Sequence, residues 1–420
     1  MPPPPAPDCI QPPTDGCVDI GPERLLRPWL EEEGGAREVP RANLVVAQGK
    51  LATCKKLRST DILCSMGWGN AVQIVLRVCV SLGFLCIGTA AAQAPPSPDV
   101  PMAGWGASVT LENDMFLAGD DTDRYYTQGG KITWLSPEAS RQPLDDFFRG
   151  LGLDLDDDEE ARVRTAISIG QQMYTPENKT TFEPDPKDRP YAGWLYAGLG
   201  ATTYSPTQLN TLELQVGIVG PSARQGELQN RWHELIKAAR VNGWNNQLHD
   251  ELGINLFAER RYAPVVLAKL ENGEPWFDVT QSVNAAFGNV EISGGLGATF
   301  RVGHGLDGDF GHARLRAGGS TAEFVPTEGW SLYGFTGIFG RAVARDIFLD
   351  GNTFRDSQSV EKRWFVPEFT AGVVGRWKRW RLSYTYVVRD EEFLGQNGPQ
   401  EFGAWTFTWT SKTEKRATRP

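Results

Sequence analysis

The segment that decides the fold class is residues 405–410, WTFTWT, in which aromatic residues alternate strictly with threonine. Residues 380–386, WRLSYTY, repeat the same period of two. Because successive side chains of a β-strand point to opposite faces, each segment would have one apolar and one polar face. Such strands are typical of membrane β-barrels, in which the apolar face contacts lipid and the polar face lines the lumen.

Twelve segments with this period, rich in Thr, Val, Tyr, Trp and Gly, begin at Trp105. They are 105–112, 126–136, 164–175, 191–204, 209–219, 248–262, 276–288, 290–303, 329–347, 362–376, 378–389 and 401–410. Their even number and their length of about ten residues predict an all-β fold, a twelve-stranded antiparallel transmembrane β-barrel with a short helix in an extracellular loop. A soluble β-sandwich is the alternative, but abundant Trp and Tyr suit the aromatic girdles of a membrane barrel.

The first hundred residues point to export. All six cysteines precede residue 93, and a cysteine-free remainder suits a protein that must avoid disulfide scrambling outside the cytoplasm. An apolar run at 78–87 followed by AAAQA predicts a signal peptide over 66–92 that is cleaved after Ala92, with a membrane anchor as the alternative. Residues 1–65 are rich in Pro and mixed charge, and we expect a disordered or untranslated extension.

These boundaries leave residues 93–410 for the barrel and 411–420 for a short basic tail. No segment after the signal approaches the roughly 18 apolar residues of a transmembrane helix. The formal net charge of -10 argues against nucleic acid as a partner. We therefore expect a monomeric protein of the bacterial outer membrane that is surrounded by lipid.

Residues 221–237, PSARQGELQNRWHELIK, are expected to form the one substantial helix. Ser222 is predicted as the N-cap, with Gln225 three residues later completing a capping box. An apolar stripe at helical spacing is predicted to pack against another part of the protein. It consists of Leu228, Trp232, Leu235, Ile236 and Ala239. His233 lies to one side of this stripe, either as a catalytic imidazole or as a solvated side chain.

The helix belongs to one of several connections that a barrel would gather at one end. With a periplasmic N-terminus, every odd-numbered connection between the twelve strands lies on the extracellular side. Polar clusters at 113–114, 125–127, 174–179 and 187–191 would then meet His233 at the extracellular rim. Because several polar clusters and His233 would lie together at this rim, we expect a functional site there; a single cluster would not support that prediction.

Together these clusters resemble the outer-membrane lipid A 3'-O-deacylases and their relatives, over residues 106–410. The resemblance rests on END at 112–114, YYTQG at 125–129, YTP at 174–176, DRPYAG at 188–193, VGP at 219–221, QNRWH at 229–233 and GWNNQL at 243–248. The combination is specific, whereas each stretch alone is weak. It implies a twelve-stranded barrel that uses calcium and a histidine to hydrolyse a 3'-O acyl ester on lipid A, with lipid A or lipopolysaccharide as the substrate.

The expected site residues fall into three groups. The resemblance implies His233, Thr127 and Lys179 for catalysis and Asn113 and Asp114 for the metal, and we predict Arg189 and Asn230 for substrate binding.

Several of these residue types suit ester hydrolysis. A neutral imidazole at His233 would accept a proton from water. Calcium (Ca2+) takes oxygen ligands, which the Asp114 carboxylate and the Asn113 amide supply, and it would polarise the ester carbonyl. Thr127 would orient water or substrate through its hydroxyl group.

Two points stay open at this stage. Arg189 would either contact lipid A phosphate, as Lys179 would, or brace the loop that enters the fourth strand. The relatives also carry an acidic residue in the turn after the histidine, whereas this chain reads KAAR at 237–240. Glu234 and Asp250 are the candidates to replace that carboxylate.

Two other functions compete with hydrolysis of lipid A. A barrel phospholipase would need a serine nucleophile beside a histidine, but neither His304 nor His312 has a nearby serine and no G-x-S-x-G motif occurs. A non-catalytic channel or structural barrel would not require polar clusters and His233 at one rim. A lipid A deacylase is therefore the function that we expect.

Overall fold

The computed structural model describes residues 104–116, 124–140, 162–204, 207–306 and 329–411. The extension expected at 1–65, the signal peptide expected at 66–92 and the basic tail beyond Ser411 lie outside the described residues.

Within these ranges the chain forms fourteen β-strands, twelve long and two short. The long strands are β1 Gly106–Asn113, β2 Tyr125–Leu135, β4 Arg162–Thr175, β5 Ala192–Tyr204, β6 Gln208–Val219, β7 Glu251–Tyr262, β9 Pro275–Gly288, β10 Glu291–His304, β11 Trp330–Asp346, β12 Phe365–Trp377, β13 Trp380–Arg389 and β14 Gln400–Thr410. The short strands are β3 Ala139–Ser140, which pairs with β4, and β8 Val265–Lys269, which pairs with β9.

The twelve long strands form a closed antiparallel barrel. Each long strand pairs with the next one along the chain, and β1 pairs with β14 from Gly106 opposite Thr410 to Asn113 opposite Gly403. The all-β, twelve-stranded prediction is confirmed, with every predicted strand matched to within three residues at each end. The two short strands were missed because two to five residues are too few to display a period.

Side chains alternate between the two faces of the barrel wall as the period of two predicts. In β14, Trp405 and Phe407 are exposed on the outer face, whereas Thr406 and Thr408 are buried on the inner face. The inner hydroxyl groups join the seam of the barrel, because Thr408 Oγ1 lies 3.0 Å from the Oγ of Ser108 on β1. An apolar outer belt around a polar interior is the arrangement that lipid requires.

Polar bonds cross the interior of the barrel. The Lys131 ammonium on β2 lies 2.8 Å from Oε2 of Glu213 on β6, and the Ser168 hydroxyl on β4 donates to Oε1 of the same carboxylate at 2.9 Å. Because β4 and β5 separate β2 from β6, this ion pair spans the lumen rather than neighbouring strands. A second inner ion pair, between Arg301 of β10 and Asp278 of β9 at 2.5 Å, instead joins directly paired residues of neighbouring strands.

Buried aromatic side chains close the interior at one end. Tyr174 of β4 stacks on Phe348 with ring centroids 4.1 Å apart, and Tyr126 of β2 contacts both Tyr174 and Phe402 of β14. Phe348 belongs to the short helix α2, Ile347–Asp350, which follows β11. We call this end the loop end; the strand ends that flank the connections 113–125, 175–192, 219–251, 288–291, 346–365 and 389–400 lie there.

The longer helix, α1 Gln225–Ile236, lies in the connection between β6 and β7 at the loop end. A single-turn 3₁₀ segment, Pro221–Ala223, precedes it, and another, Gly243–Asn246, follows it. Among the helices of the described residues, none combines the length and the apolar character needed to cross a membrane.

The exposed apolar side chains of the outer face are predicted to contact lipid, and this can be tested. Ile169, near the middle of β4, is 52 % exposed on the outer face, so Ile169→Arg would place a charge in the hydrocarbon layer. We expect it to lower the free energy of unfolding by about 2–4 kcal/mol. Urea titration in liposomes, followed by the mobility shift of the folded barrel on gels, measures this change.

The matched control is Phe354→Arg, since Phe354 is 81 % exposed in the β11–β12 connection at the loop end. We expect this second charge to change the urea midpoint little. Equal destabilisation by both substitutions would contradict lipid contact at Ile169.

Candidate active site

One row of residues crosses four neighbouring strands at the loop end. Asn113 pairs with Gln128, Gln128 with Met173, and Met173 with Gly193. Residues two or four positions along the same strands are exposed apolar side chains: Leu111, Ile132, Ile169 and Leu195. Since alternate residues of a strand share a face, the row lies on the outer face of the barrel wall, not in the lumen.

The outer wall is covered at this row by α1 and the loop that follows it. Met173 is fully buried, although it belongs to the same outer face as Ile169, and it clusters with Tyr191, Val241 and Trp244. Tyr191 and Trp244 are in ring contact, with centroids 5.1 Å apart. The protein therefore covers its own lipid-facing surface here with a helix and a loop.

Glycine at position 193 allows α1 to approach the wall closely. A Cβ atom at this position would lie 2.6 Å from Cγ of Gln225, the first residue of α1, which is closer than carbon atoms can pack. Gly226 has the same role toward the following loop, because a Cβ there would lie 2.7 Å from Cγ of Trp244. Larger residues at either position would push the helix away from its neighbours.

The start of α1 differs from the predicted capping box. Arg224 occupies the N-cap with the left-handed φ of 57°, and Ser222 lies one turn earlier in the 3₁₀ segment. The prediction was wrong because Asp250 accepts hydrogen bonds from both the Ser222 backbone N–H and its hydroxyl group, each at 2.8 Å. Asp250, the residue just before β7, thus binds the groups of Ser222 that a capping box needs.

The faces of α1 are also distributed differently from the prediction. Its buried side chains are the polar residues Gln225, Gln229 and His233, which recur every fourth residue. The residues of the predicted apolar stripe within the helix are exposed: Leu228, Trp232, Leu235 and Ile236. Ala239 lies beyond the helix, since Lys237 takes the left-handed φ of 59° and ends it. The stripe does not pack against described protein residues in the way that we expected, whereas the polar face does.

The loop after α1 folds back along the helix. Asn230 holds Val241 through two hydrogen bonds: its Oδ1 accepts from the Val241 N–H at 2.9 Å and its Nδ2 donates to the Val241 carbonyl at 3.1 Å. The Trp244 indole N–H donates to Oε1 of Gln229 at 2.7 Å. These contacts fix residues 237–247 against the polar face of α1.

This folded-back loop places a carbonyl oxygen against His233. Nδ1 of His233 lies 2.5 Å from the carbonyl oxygen of Ala239, and the imidazole is 8 % exposed. A carbonyl oxygen only accepts hydrogen bonds, so Nδ1 carries the proton. In the neutral ring Nε2 is then the basic nitrogen.

The carbonyl of Ala239 supplies a partner for Nδ1 in the turn 237–240, where the resemblance implied an acidic residue. Neither candidate replacement is arranged to do so. Asp250 binds Ser222 at the opposite end of α1, and Glu234 is exposed on the helix surface. A backbone carbonyl can fix the tautomer and orientation of an imidazole as a carboxylate does.

Thr127 sits at an irregularity in β2. The register shifts between Tyr126 and Gln128, which leaves Thr127 as the extra residue of a β-bulge. Its hydroxyl group lies 2.8 Å from that of Thr175, the last residue of β4, which shares the outer face with Met173. Bulges re-aim side chains, and this one presents a pair of hydroxyl groups close to the row of Asn113.

Asn113 and Asp114 form the turn at the end of β1. The Asn113 Oδ1 accepts a hydrogen bond from the Met115 N–H at 2.7 Å, and Asp114 is buried as the first residue of a 3₁₀ turn. Among the described residues, no group of three or more His, Cys, Asp or Glu side chains could hold a metal ion. The oxygen donors of this pair fit calcium in kind, and backbone carbonyls and water would have to complete its about six to eight ligands.

Lys179 belongs to the β4–β5 loop, which is tied to the loop after α1. Asn242 donates its N–H to the Lys179 carbonyl at 3.0 Å and its side-chain Nδ2 to the Thr180 carbonyl at 2.9 Å. Asn246 Nδ2 bonds the Phe182 carbonyl at 2.7 Å. The chain segments that carry Lys179 and His233 are therefore brought together.

Asp188 stabilises the same loop. Its carboxylate accepts the N–H groups of Glu177 and Arg189, both at 2.7 Å. Burial raises the pKa of the Asp188 carboxyl above its ordinary value, while these two hydrogen bonds oppose the shift.

Arg189 lies on the inner side of this loop. Its side chain is fully buried, its Nη1 lies 3.1 Å from Glu392 Oε2, and its guanidinium stacks over the Tyr174 ring at 4.8 Å. This geometry supports the bracing alternative for Arg189 over contact with a phosphate at the outer wall. The amide of Asn230, a candidate for substrate binding, is likewise engaged with the loop at Val241.

Several contributors to the site were missed from the sequence. Gln229, Trp244 and Thr175 lie within stretches that carried the family resemblance, but nothing in their spacing pairs Gln229 with Trp244, Trp244 with Met173 or Thr175 with Thr127. The carbonyl of Ala239 is a backbone atom, so no residue type signals it.

A family model described as "Outer membrane protein LpxR" matches residues 76–411. Among solved structures, LpxR from Salmonella typhimurium superposes with a TM-score of 0.58 at 21% identity, covering 72% of this chain and 99% of that chain. At this identity the likeness concerns the fold.

Other outer-membrane barrels superpose with lower scores. The beta domain of the Bordetella autotransporter Brka has a TM-score of 0.35 at 10% identity, covering 74% of this chain and 99% of its own. The translocator domain of autotransporter NalP from Neisseria meningitidis has a TM-score of 0.31 at 8% identity, covering 81% and 96%. No curated protein sequence matches this chain.

The close packing of α1 against the barrel wall can be tested by a substitution at Gly193. We expect Gly193→Ala to displace the N-terminal turn of α1, because the added Cβ overlaps Gln225. Hydrogen exchange of the backbone amides of residues 225–236, followed by mass spectrometry, should then be faster than in the unchanged protein.

Gly130→Ala is the matched control on the same outer face of β2. Its added Cβ would lie 3.3 Å from Nε2 of Gln171, the movable end of a side chain, and away from α1. We expect unchanged exchange in α1 for this variant. Protection of α1 that survives Gly193→Ala would show that the helix is held elsewhere.

Proposed function

Because the chain belongs to the LpxR family of outer membrane proteins, we propose that it removes a 3'-O ester-linked acyl chain from lipid A. The protein is an outer-membrane β-barrel of this family. The observation that carries the proposal is the imidazole of His233, which is held with its Nδ1 on the Ala239 carbonyl beside the outer wall of the barrel.

The position of the site favours a substrate that arrives through the membrane. Asn113 and Gln128 of this row face outward at the loop end and are partly exposed, so a lipid could reach them by lateral diffusion. The aromatic layer around Tyr174 and the ion pair of Lys131 with Glu213 occupy the interior. An amphiphile of the leaflet suits this arrangement better than a solute that passes through the lumen.

His233 has the arrangement of a general base. With its Nδ1 proton donated to a carbonyl, Nε2 is the nitrogen that takes a proton from water as the hydroxide attacks the ester carbonyl. The same proton can then be returned to the leaving sugar oxygen. Burial of the ring by the folded-back loop limits the orientations of the imidazole, which keeps Nε2 in one direction.

The remaining candidates have supporting roles in this proposal. Asn113 and Asp114 would hold calcium, which supplies stabilisation of the negative charge that develops on the ester oxygen. The hydroxyl pair of Thr127 and Thr175 would orient water or the substrate, and Lys179 would contact a lipid A phosphate as a point charge.

The orientation of the barrel follows from the proposed substrate. Lipid A occupies the outer leaflet of the outer membrane, so the loop end would face the exterior. The short turns at the other end, such as 377–380 between β12 and β13, would face the periplasm, as in other outer-membrane barrels.

The role of His233 is testable in cells. We expect cells that express the protein to contain lipid A lacking one fatty acid, and His233→Ala to lower the rate of this loss by a factor of about 100 to 10,000. Mass spectrometry of lipid A at several times after induction measures the rate.

His249→Ala is the matched control, because His249 is exposed beside β7 and its backbone contacts Asn352. We expect full activity for this variant. Unchanged lipid A in cells with the intact protein would favour a non-catalytic barrel, and full activity of His233→Ala would exclude His233 as the base.

The metal requirement is testable with purified protein. We expect a chelator to stop deacylation of lipid A and added calcium to restore it. Asp114→Asn should raise the calcium concentration for half-maximal activity by at least about tenfold, because a charged ligand is lost. Asp185→Asn, a change at an exposed loop residue, should leave that concentration unaltered. Full activity in the presence of the chelator would rule calcium out.

A further inference from the structure

We propose that α1 is an interfacial helix whose exposed apolar stripe is immersed in the acyl chains of the outer leaflet. The stripe comprises Leu228, Trp232, Leu235 and Ile236, and the first three are 44 %, 45 % and 73 % exposed. Leu228, Trp232 and Leu235 follow one another at spacings of four and three residues, and Ile236 lies four residues after Trp232, so they lie along one side of the helix. In a helix that packs on a water-soluble protein such a stripe would face the protein.

The other sides of α1 are already occupied. Gln225 contacts the wall at Gly193, Gln229 and Asn230 hold the following loop, and His233 bonds Ala239. The stripe is therefore a separate flank of the helix that the described protein leaves open. The remaining arc carries Glu227, Arg231 and Glu234, which are exposed and suited to water.

The stripe is continuous with the lipid-facing belt of the barrel. Gly193, directly beneath the first turn of α1, shares the outer face of β5 with Leu195 and Leu199, which are both exposed. Leu252, at the start of β7 just beyond the α1 connection, is exposed as well. One apolar surface thus extends from the wall onto the helix, and membrane acyl chains are the occupant that already covers the wall.

The composition of α1 agrees with an interfacial position. A helix that lies in the plane of a membrane combines an apolar flank with a strongly polar one, and tryptophan is favoured at the boundary of head groups and acyl chains. Trp232 lies on the apolar flank, next to His233 in sequence. Immersion of the stripe would hold His233 at the depth where sugars meet acyl chains. This last step rests on the proposed function, because the ester bond of lipid A lies at that depth.

Site-directed spin labelling tests the immersion directly. The six native cysteines all precede residue 93, and in a full-length chain with serine at those six positions each new cysteine carries the only label. Leu235→Cys places the label on the stripe, and Glu234→Cys places it on the polar arc as the matched control. The protein is reconstituted in liposomes of phosphatidylethanolamine and lipopolysaccharide.

We expect the label at position 235 to be relaxed by oxygen and to lose relaxation by a water-soluble nickel chelate, whereas the label at 234 shows the reverse. Equal access of the nickel chelate to both labels would overturn the proposal. Spin–spin broadening at position 235 would also overturn it, because a second copy of the chain would then cover the stripe. The measurement does not depend on hydrolysis, so its outcome is separate from that of the lipid A assay.

Discussion

Closure of the barrel between β1 and β14 is the constraint on which the rest of the structure depends. Once Gly106 pairs with Thr410 and Asn113 with Gly403, no long strand has a free edge, and successive residues of the twelve strands alternate between the outer face and the lumen. The hydroxyl pairs on the inner face of this seam, such as Ser108 with Thr408, add side-chain bonds to the backbone ladder. The apolar side chains of the same strands are left to the membrane.

This division between two faces explains the candidate site. Asn113, Gln128 and Met173 follow the alternation to the outer face, yet Met173 is fully buried because α1 and its loop cover it. The helix presents polar side chains to the protein and apolar ones outward, which is the reverse of a helix on a soluble protein. A lipid environment makes this reversal favourable, and it leaves an imidazole beside a surface that lipid can reach.

The period of two was sufficient to predict all twelve long strands, and the parity of their connections predicted which polar clusters share one end. The residues of α1 were predicted too, but its cap was not, because Asp250 is distant in sequence from Ser222. The three- and four-residue spacing of apolar residues in α1 identified its apolar stripe, but it did not show whether the stripe contacts protein or lipid. The hydrogen-bond partner of His233 could not be predicted, because it is the backbone carbonyl of Ala239 and every residue type has such a carbonyl. Similarly, only the tertiary contact with Glu392 favours a bracing role for Arg189.

We infer that the substrate meets the outer wall beneath α1 and not the lumen. Photo-crosslinking with p-benzoylphenylalanine in living cells tests it most directly, at Gln128 on the outer face and at Tyr174 on the inner face of the next strand. We expect a lipopolysaccharide adduct from position 128 and none from position 174. An adduct from position 174, or equal adducts from both, would contradict it.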